Sequence, residues 1–149
     1  MNIENAFQII EDNIDDADFC GPVAPDKIAS AEEILGVKFP KSYSMFLEKY
    51  GAGDIAGIEL FGIIKDPTTD GQMVPNGIWL TLNLREESAL PKEFIVVSET
   101  GYGPYYVIDT SFKDDNLESP VYTWDTGNQK EKTSDSFGEF LSSLLEESI

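Results

Sequence analysis

The order of segments along the chain predicts an α+β fold, one domain over 1–149 with a single antiparallel sheet, N-terminal helices and a C-terminal helix packed on it. Three observations carry this. The first third reads as short amphipathic helices. The middle is rich in strand-like apolar runs. The chain then closes on one further amphipathic segment. A chain of 149 residues favours one domain and can bury a core without disulfide staples.

Residues 2–14 place Ile3, Phe7, Ile10 and Ile14 on one helical face, with acids opposite. "DDADFCGPVAP" then breaks the helix and reads as a solvated acidic linker. A second helix opens at Pro25, where a missing N–H does no harm, presents Ile28, Ala31, Ile34 and Leu35, and stops at Gly36. A third carries Tyr43, Phe46, Leu47 and Tyr50, between Pro40 and Gly51.

The middle changes period. "DIAGIELFGII" has strand composition interrupted by Gly57 and Gly62, which suggests bulges or bends. Residues 66–77 are a loop. Residues 78–88 are ambiguous: Ile78, Leu80, Leu82 and Leu84 alternate as in a strand, whereas Ile78, Leu82 and Arg85 would stack on a helix. "FIVVS" (94–98), "YYVID" (105–109) and "PVYTW" (120–124) read as strands, and "DTGNQKEKTSD" as a turn or loop. "YYVID" is apolar on both faces, so it should be a covered strand with Tyr106 and Ile108 on one face and Tyr105 and Val107 on the other. In "ETGYGPYYVIDT" the two glycines should supply the positive φ of a hairpin turn, leaving Glu99 and Tyr102 near its tip. The last helix aligns Phe137, Phe140, Leu141, Leu144 and Leu145 behind a Ser136–Glu139 capping box. Trp79 and Trp124 are expected in the core.

Composition narrows function by exclusion. There is no histidine, which removes Ser-His-Asp and Cys-His nucleophilic pairs and His-ligated zinc. One cysteine, Cys20, allows neither an internal disulfide nor a thiolate zinc site. Charge is extreme: 28 acidic against 10 basic residues, a net of −18. Such a surface repels nucleic acid and anionic membrane and attracts a basic protein. The N-terminus lacks the pattern of a secretory signal, and no apolar run is long enough to span a membrane, so a cytoplasmic location is expected.

Tempting motifs fail on spacing. "GAGDIAG" has Ala56 where a dinucleotide fingerprint needs its third glycine, and it follows a helix instead of a strand. "DDADFCG", read as a calcium loop from Asp16, puts Cys20 and Lys27 at ligand positions five and twelve. No cofactor and no metal are therefore expected. Asp54, Glu59, Glu99, Asp109 and Asp125 fall at strand ends or turns, where they could line one rim or merely cap turns.

Residues 31–53, "AEEILGVKFPKSYSMFLEKYGAG", resemble the leading motif of the SUKH superfamily, the Smi/Knr-type proteins. That motif is an acidic helix ending in Leu-Gly, an apolar-Pro pair, a Tyr, a Phe-Leu pair and a Gly pair. Here these are Glu33, Leu35, Gly36, Phe39, Pro40, Tyr43, Phe46, Leu47, Gly51 and Gly53. The likeness continues through "IELFGI", "LP", "FIVVSETGYGPYYVIDT", "PVYTWD" and "SFGEFLSSLL", covering about residues 24 to 145. It implies a curved antiparallel sheet carrying helices, and a helix over 78–88. It also implies a role. Many bacterial members are immunity proteins that neutralise toxin domains, often nucleases, while fungal relatives are regulatory scaffolds. The family brings no catalytic residues to carry over.

The expectation is a non-enzymatic immunity protein or antitoxin whose partner is a basic, nuclease-like cognate toxin, with no direct contact to nucleic acid or membrane. The expected contact surface is acidic and aromatic: Asp54, Glu59, Glu99, Tyr102, Tyr105 and Asp125. The N-terminal acids form a rival patch. The alternatives are a regulatory or scaffold protein with another cellular partner, and a hydrolase working with two facing carboxylates.

Overall fold

Helix α1 (Ile3–Asp12) buries Ile3, Ala6 and Ile10, following the apolar spacing. Ile14 departs from the expected face and is exposed. The backbone leaves the helix at Asn13, whose side chain donates to the Ile9 carbonyl, and a single 3-10 turn follows at Ile14–Asp16. The computed structural model describes residues 2–64 and 76–149; most of the loop expected over 66–77 lies outside them.

Helix α2 (Pro25–Leu35) starts on its proline and ends at Gly36 in the left-handed conformation. It buries Ile28, Ala31 and Leu35, but Ile34 is 60% exposed, contrary to its expected inward position. Helix α3 (Lys41–Lys49) buries Tyr43, Phe46 and Leu47. The rings of Phe39, Tyr43, Phe46 and Tyr50 form a chain of edge-on, stacked and tilted contacts, joined by Phe19 and by Phe137.

Among the described residues, seven strands form one open antiparallel sheet whose spatial order is the chain order: β1 (Ala17–Phe19), β2 (Gly53–Ile55), β3 (Ile58–Leu60), β4 (Phe94–Glu99), β5 (Tyr105–Asp109), β6 (Val121–Trp124) and β7 (Lys130–Ser134). Two of these correct the sequence reading. The acidic linker contains β1, which pairs with β2 and packs Phe19 on Phe46 and Tyr50. The pairing needs Gly53, which has φ +151°; a Cβ there would lie 2.2 Å from the Asp18 carbonyl oxygen. The polar segment after Trp124 contains β7, which pairs with β6. It carries no apolar alternation because four of its five residues are exposed on the sheet edge. Irregular register between Val96 and Ser98, and between Val121 and Tyr122, marks bulges that bend the strands.

Between β3 and β4 the ladder is short: Leu60 pairs with Ser98, and the Phe61 amide donates to the Val97 carbonyl. Beyond that point α4 (Gly77–Ser88) takes over, and the Thr81 hydroxyl accepts the Val96 amide. The ambiguous segment is thus a helix, started by the Asn76 side chain accepting from the Trp79 amide. Trp79 is only half-buried, lining a groove with Ile34, Ile63 and Leu82 and not sealed in the core as expected. Trp124 is fully buried.

The main core lies between one sheet face and α1, α2, α3 and α5 (Phe137–Ser148). The Ser136 hydroxyl caps α5 by accepting the Glu139 amide. A second cluster of Phe61, Leu84, Leu90, Phe94, Val96, Val107 and Trp124 occupies the other face. Strand β5 is covered on both sides: Ile108 and Tyr106 meet the main core, with Tyr106 against Phe140, and Val107 and Tyr105 meet the second cluster.

Candidate acidic interface

On β2 and β3, Ile55 and Leu60 point into the main core, so the alternating residues Asp54 and Glu59 point to the opposite face. The register sets Asp54 directly across from Glu59, and Asp18 directly across from Asp54. Because Leu60 faces Ser98, Glu99 follows Glu59 in the next strand. Glu99 then pairs with Tyr105, Tyr105 with Trp124, and Trp124 with Lys130. One transverse row therefore runs Asp18, Asp54, Glu59, Glu99, Tyr105, Trp124, Lys130. Four consecutive strands contribute carboxylates at the ~4.8 Å strand spacing.

Like charges directly opposite repel, and Glu59 at the middle shows the effect. Its carboxyl is held above the ordinary range by partial burial, then by the negative charges of Asp54 and Glu99. Among the described residues the ion pair within 4 Å is Lys132–Asp135, so no cation offsets the four carboxylates of the row.

The aromatic part of the expected surface lies beside the row. Tyr105 is half-buried next to Trp124, whereas Tyr102 is 80% exposed at the tip of the β4–β5 hairpin. That tip is built by Gly101 (φ +89°) and Gly103 (φ +127°), and by Thr100, whose amide and hydroxyl both donate to the Pro104 carbonyl. The glycines serve the turn.

Asp125 lies apart from the row. Its Oδ1 accepts the amides of Gly127 and Gln129, so the carboxylate caps the β6–β7 turn. It still borders a shallow depression of about 250 Å³ shared with Tyr102 and Lys130. Asp109 lies at the other end of β5, where its carboxylate accepts the Ser111 amide and hydroxyl. The fold brings Asp54, Glu59 and Glu99 together and leaves Asp109 out.

Asp18 was placed by sequence in the rival N-terminal patch, and the structure makes it the first member of the row. Ala17 and Phe19 flank it with the period of a strand, but a run of three residues is too short to mark one in the sequence. Lys130, at the far end of the row, had no such signal; it lies over the rings of Phe94 and Tyr122.

A family model described as SMI1-KNR4 cell-wall (SUKH_5) matches residues 3–146. The chain belongs to the SUKH superfamily. The match spans every described helix and strand except the last residues of α5, so it takes in the resemblance noted over about residues 24 to 145 and adds α1 and β1. Membership in the SUKH superfamily fits a protein of the immunity kind that works by binding another protein. Among the described residues of this SUKH chain, no group of three or more Asp, Glu, Cys or His is placed to hold a metal ion. No helix among them is long and apolar enough to cross a membrane. What the row can do is present four carboxylates in a line, with no ion-pair partner among the described residues, near an exposed tyrosine.

Proposed function

We propose that this SUKH protein is a cytoplasmic, non-enzymatic immunity protein that binds a basic, nuclease-like cognate toxin and blocks its active site, acting as one domain over residues 1–149. The observation that carries the reading is the row Asp18–Asp54–Glu59–Glu99, four aligned carboxylates with no cationic partner among the described residues. A nuclease must hold phosphates in a basic groove, and a line of carboxylates on a fixed scaffold imitates that polyanion. The proposed contact set is Asp54, Glu59, Glu99, Tyr102, Tyr105 and Asp125, now with Asp18. Tyr102 supplies the aromatic anchor that protein interfaces favour. The carboxylates supply steering, so association should be fast and should slow as salt is added.

Co-expression with the product of the neighbouring gene tests the reading. Rescue of growth, with a complex that survives purification, supports it. Toxicity undiminished by this protein overturns it. A second reading, a scaffold for another cellular partner, is favoured by the cell-wall description of the matching family. It predicts a stable partner that is not toxic when expressed alone.

A further inference from the structure

At the end of β4 and β5 remote from the acidic row, an open cleft of about 430 Å³ lies between three connections. These are the α2–α3 link (Gly36, Lys38), the α4–β4 turn (Lys92, Glu93) and the residues after β5 (Thr110, Lys113). Three of the ten basic residues of the chain converge there. Among the described residues none of the three has an ion-pair partner within 4 Å, although Glu93 lines the same cleft. Unpaired cations gathered in one place on a chain of net −18 are the opposite of what chance pairing yields.

The walls are tied to one another. Arg85 spans two of them, its guanidinium donating to the Leu35 carbonyl at 2.8 Å and to the Lys92 carbonyl. The Lys113 ammonium donates to the Lys38 carbonyl at 3.2 Å, joining the third wall to the first. The Thr110 amide donates to the Glu93 carbonyl at 2.8 Å, and its hydroxyl donates there too, joining the third to the second. The three lysine-bearing segments are held around the cleft without any contact between their charges. Lys38 also lies just past the C-terminus of α2, where a cation complements the helix dipole; that role does not account for Lys92 and Lys113.

We infer that this cleft is a binding site for a compact multivalent oxyanion of the phosphomonoester class. Ammonium groups act on phosphate as point charges and need no fork geometry, so the three lysines suffice although the nearby Arg85 guanidinium is engaged by two carbonyls. The acidic field of the whole protein selects for size. Repulsion grows with total ligand charge, so a compact dianion can reach the three lysines while a nucleic acid or an anionic membrane is held off. The site is independent of the proposed partner surface: the ends of β4 lie ~17 Å apart at the strand rise per residue.

The test is titration of the full chain with inorganic phosphate, with ionic strength held constant by sodium chloride so that general screening is the same throughout. Thermal melting should show a saturable rise in Tm of about 3 °C. Amide chemical shifts should move at residues 36–38, 92–93 and 110–113 and stay fixed along β1 to β3. The exposed change Lys92→Gln should abolish most of the rise, and adding Lys113→Gln should abolish the rest. Equal responses in wild type and the double variant, or no response beyond the chloride control, overturn the inference. So does tighter binding of a single-stranded oligonucleotide than of phosphate. A small sugar phosphate and a phosphoserine peptide, titrated in parallel, identify by relative affinity whether the group arrives on a metabolite or on a modified protein.

Discussion

Glu118 accepts two hydrogen bonds from Ser42, one from its amide at 3.1 Å and one from its hydroxyl at 2.7 Å, across 76 residues of sequence. Both residues are buried. Pro40, at the head of α3, has no side-chain oxygen to cap the helix, so a carboxylate from the β5–β6 connection serves instead. The same Ser42 hydroxyl accepts the Gly138 amide at 3.0 Å, which ties the start of α5 into the network.

Glu118→Ala should therefore destabilise the protein by about 2–3 kcal/mol, because it leaves the buried Ser42 amide and hydroxyl at the start of α3 without an acceptor. Glu118→Gln keeps one acceptor oxygen and should cost less than half of that. Urea unfolding of the two variants checks this. A loss below about 0.5 kcal/mol for the alanine variant would assign the cap a negligible role.

Stability should fall as pH rises above the carboxylate range. Burial raises the Glu118 carboxyl despite the Ser42 hydrogen bonds, and burial with Asp54 and Glu99 raises Glu59, both from an ordinary value of 4.5. The folded state then binds protons more tightly than the unfolded chain. The contribution is full below the unfolded value and is lost as pH climbs through the raised folded values. Glu59→Gln should raise the melting temperature at neutral pH and flatten the slope between mild acid and neutrality. Melting curves across that window decide it; an unchanged slope would show that Glu59 is not strained by its neighbours.

Ala56 sits at φ +50° and Gly57 at φ +83° in the two-residue turn that joins β2 to β3. Two positive φ values define the hairpin turn that favours Asn-Gly. Ala56→Asn should add about 0.5–1 kcal/mol, and Ala56→Val should subtract at least as much, both read by chemical denaturation.

Gly53→Ala should detach β1, since the new methyl would collide with the Asp18 backbone. Hydrogen exchange should then lose protection at residues 17–19, and Asp18 should leave the row. If the proposed function holds, this variant slows toxin association in the same sense as Glu59→Lys. The charge reversal should reduce the association rate by about 10-fold or more at low salt. Asp109→Asn, at the other end of β5, should leave the rate unchanged. Equal rates for all three would remove the acidic row from the interface.

Much of the fold was legible because it is locally encoded. The 3.6-residue spacing of Ile28, Ala31 and Leu35, the Pro25 start, the Gly36 stop and the Ser136 cap each act within a few residues, and the structure has each in place. The alternation in "YYVID" also sufficed to assign its two faces. The failures were at elements defined by what they touch. Strand β7 is exposed and charged, and only the edge of β6 makes it a strand. Strand β1 looks like an acidic linker until Gly53 admits it. Helix α4 carried both periods at once, and the break in the β3–β4 ladder gives it its place beside Val96. Ile14, Ile34 and Trp79 kept apolar character without the buried positions their spacing suggested, because a helix end or a groove lay where core was expected.

Sequence alone determined that this protein is acidic, lacks histidine, and carries the ordered motifs of its family, all properties of composition or short spacing. It could name Asp54, Glu59 and Glu99, but it could not align them. Alignment depends on antiparallel register, which is set by long-range pairing and by the apolar residues that choose which face is buried. Only the tertiary structure put Asp18 from one end of the chain beside Asp54, and Glu99 from the other side of α4 beside Glu59. The β4–β5 pairing also brings Lys92 and Lys113 to the opposite end of β4, where the α2–α3 link adds Lys38.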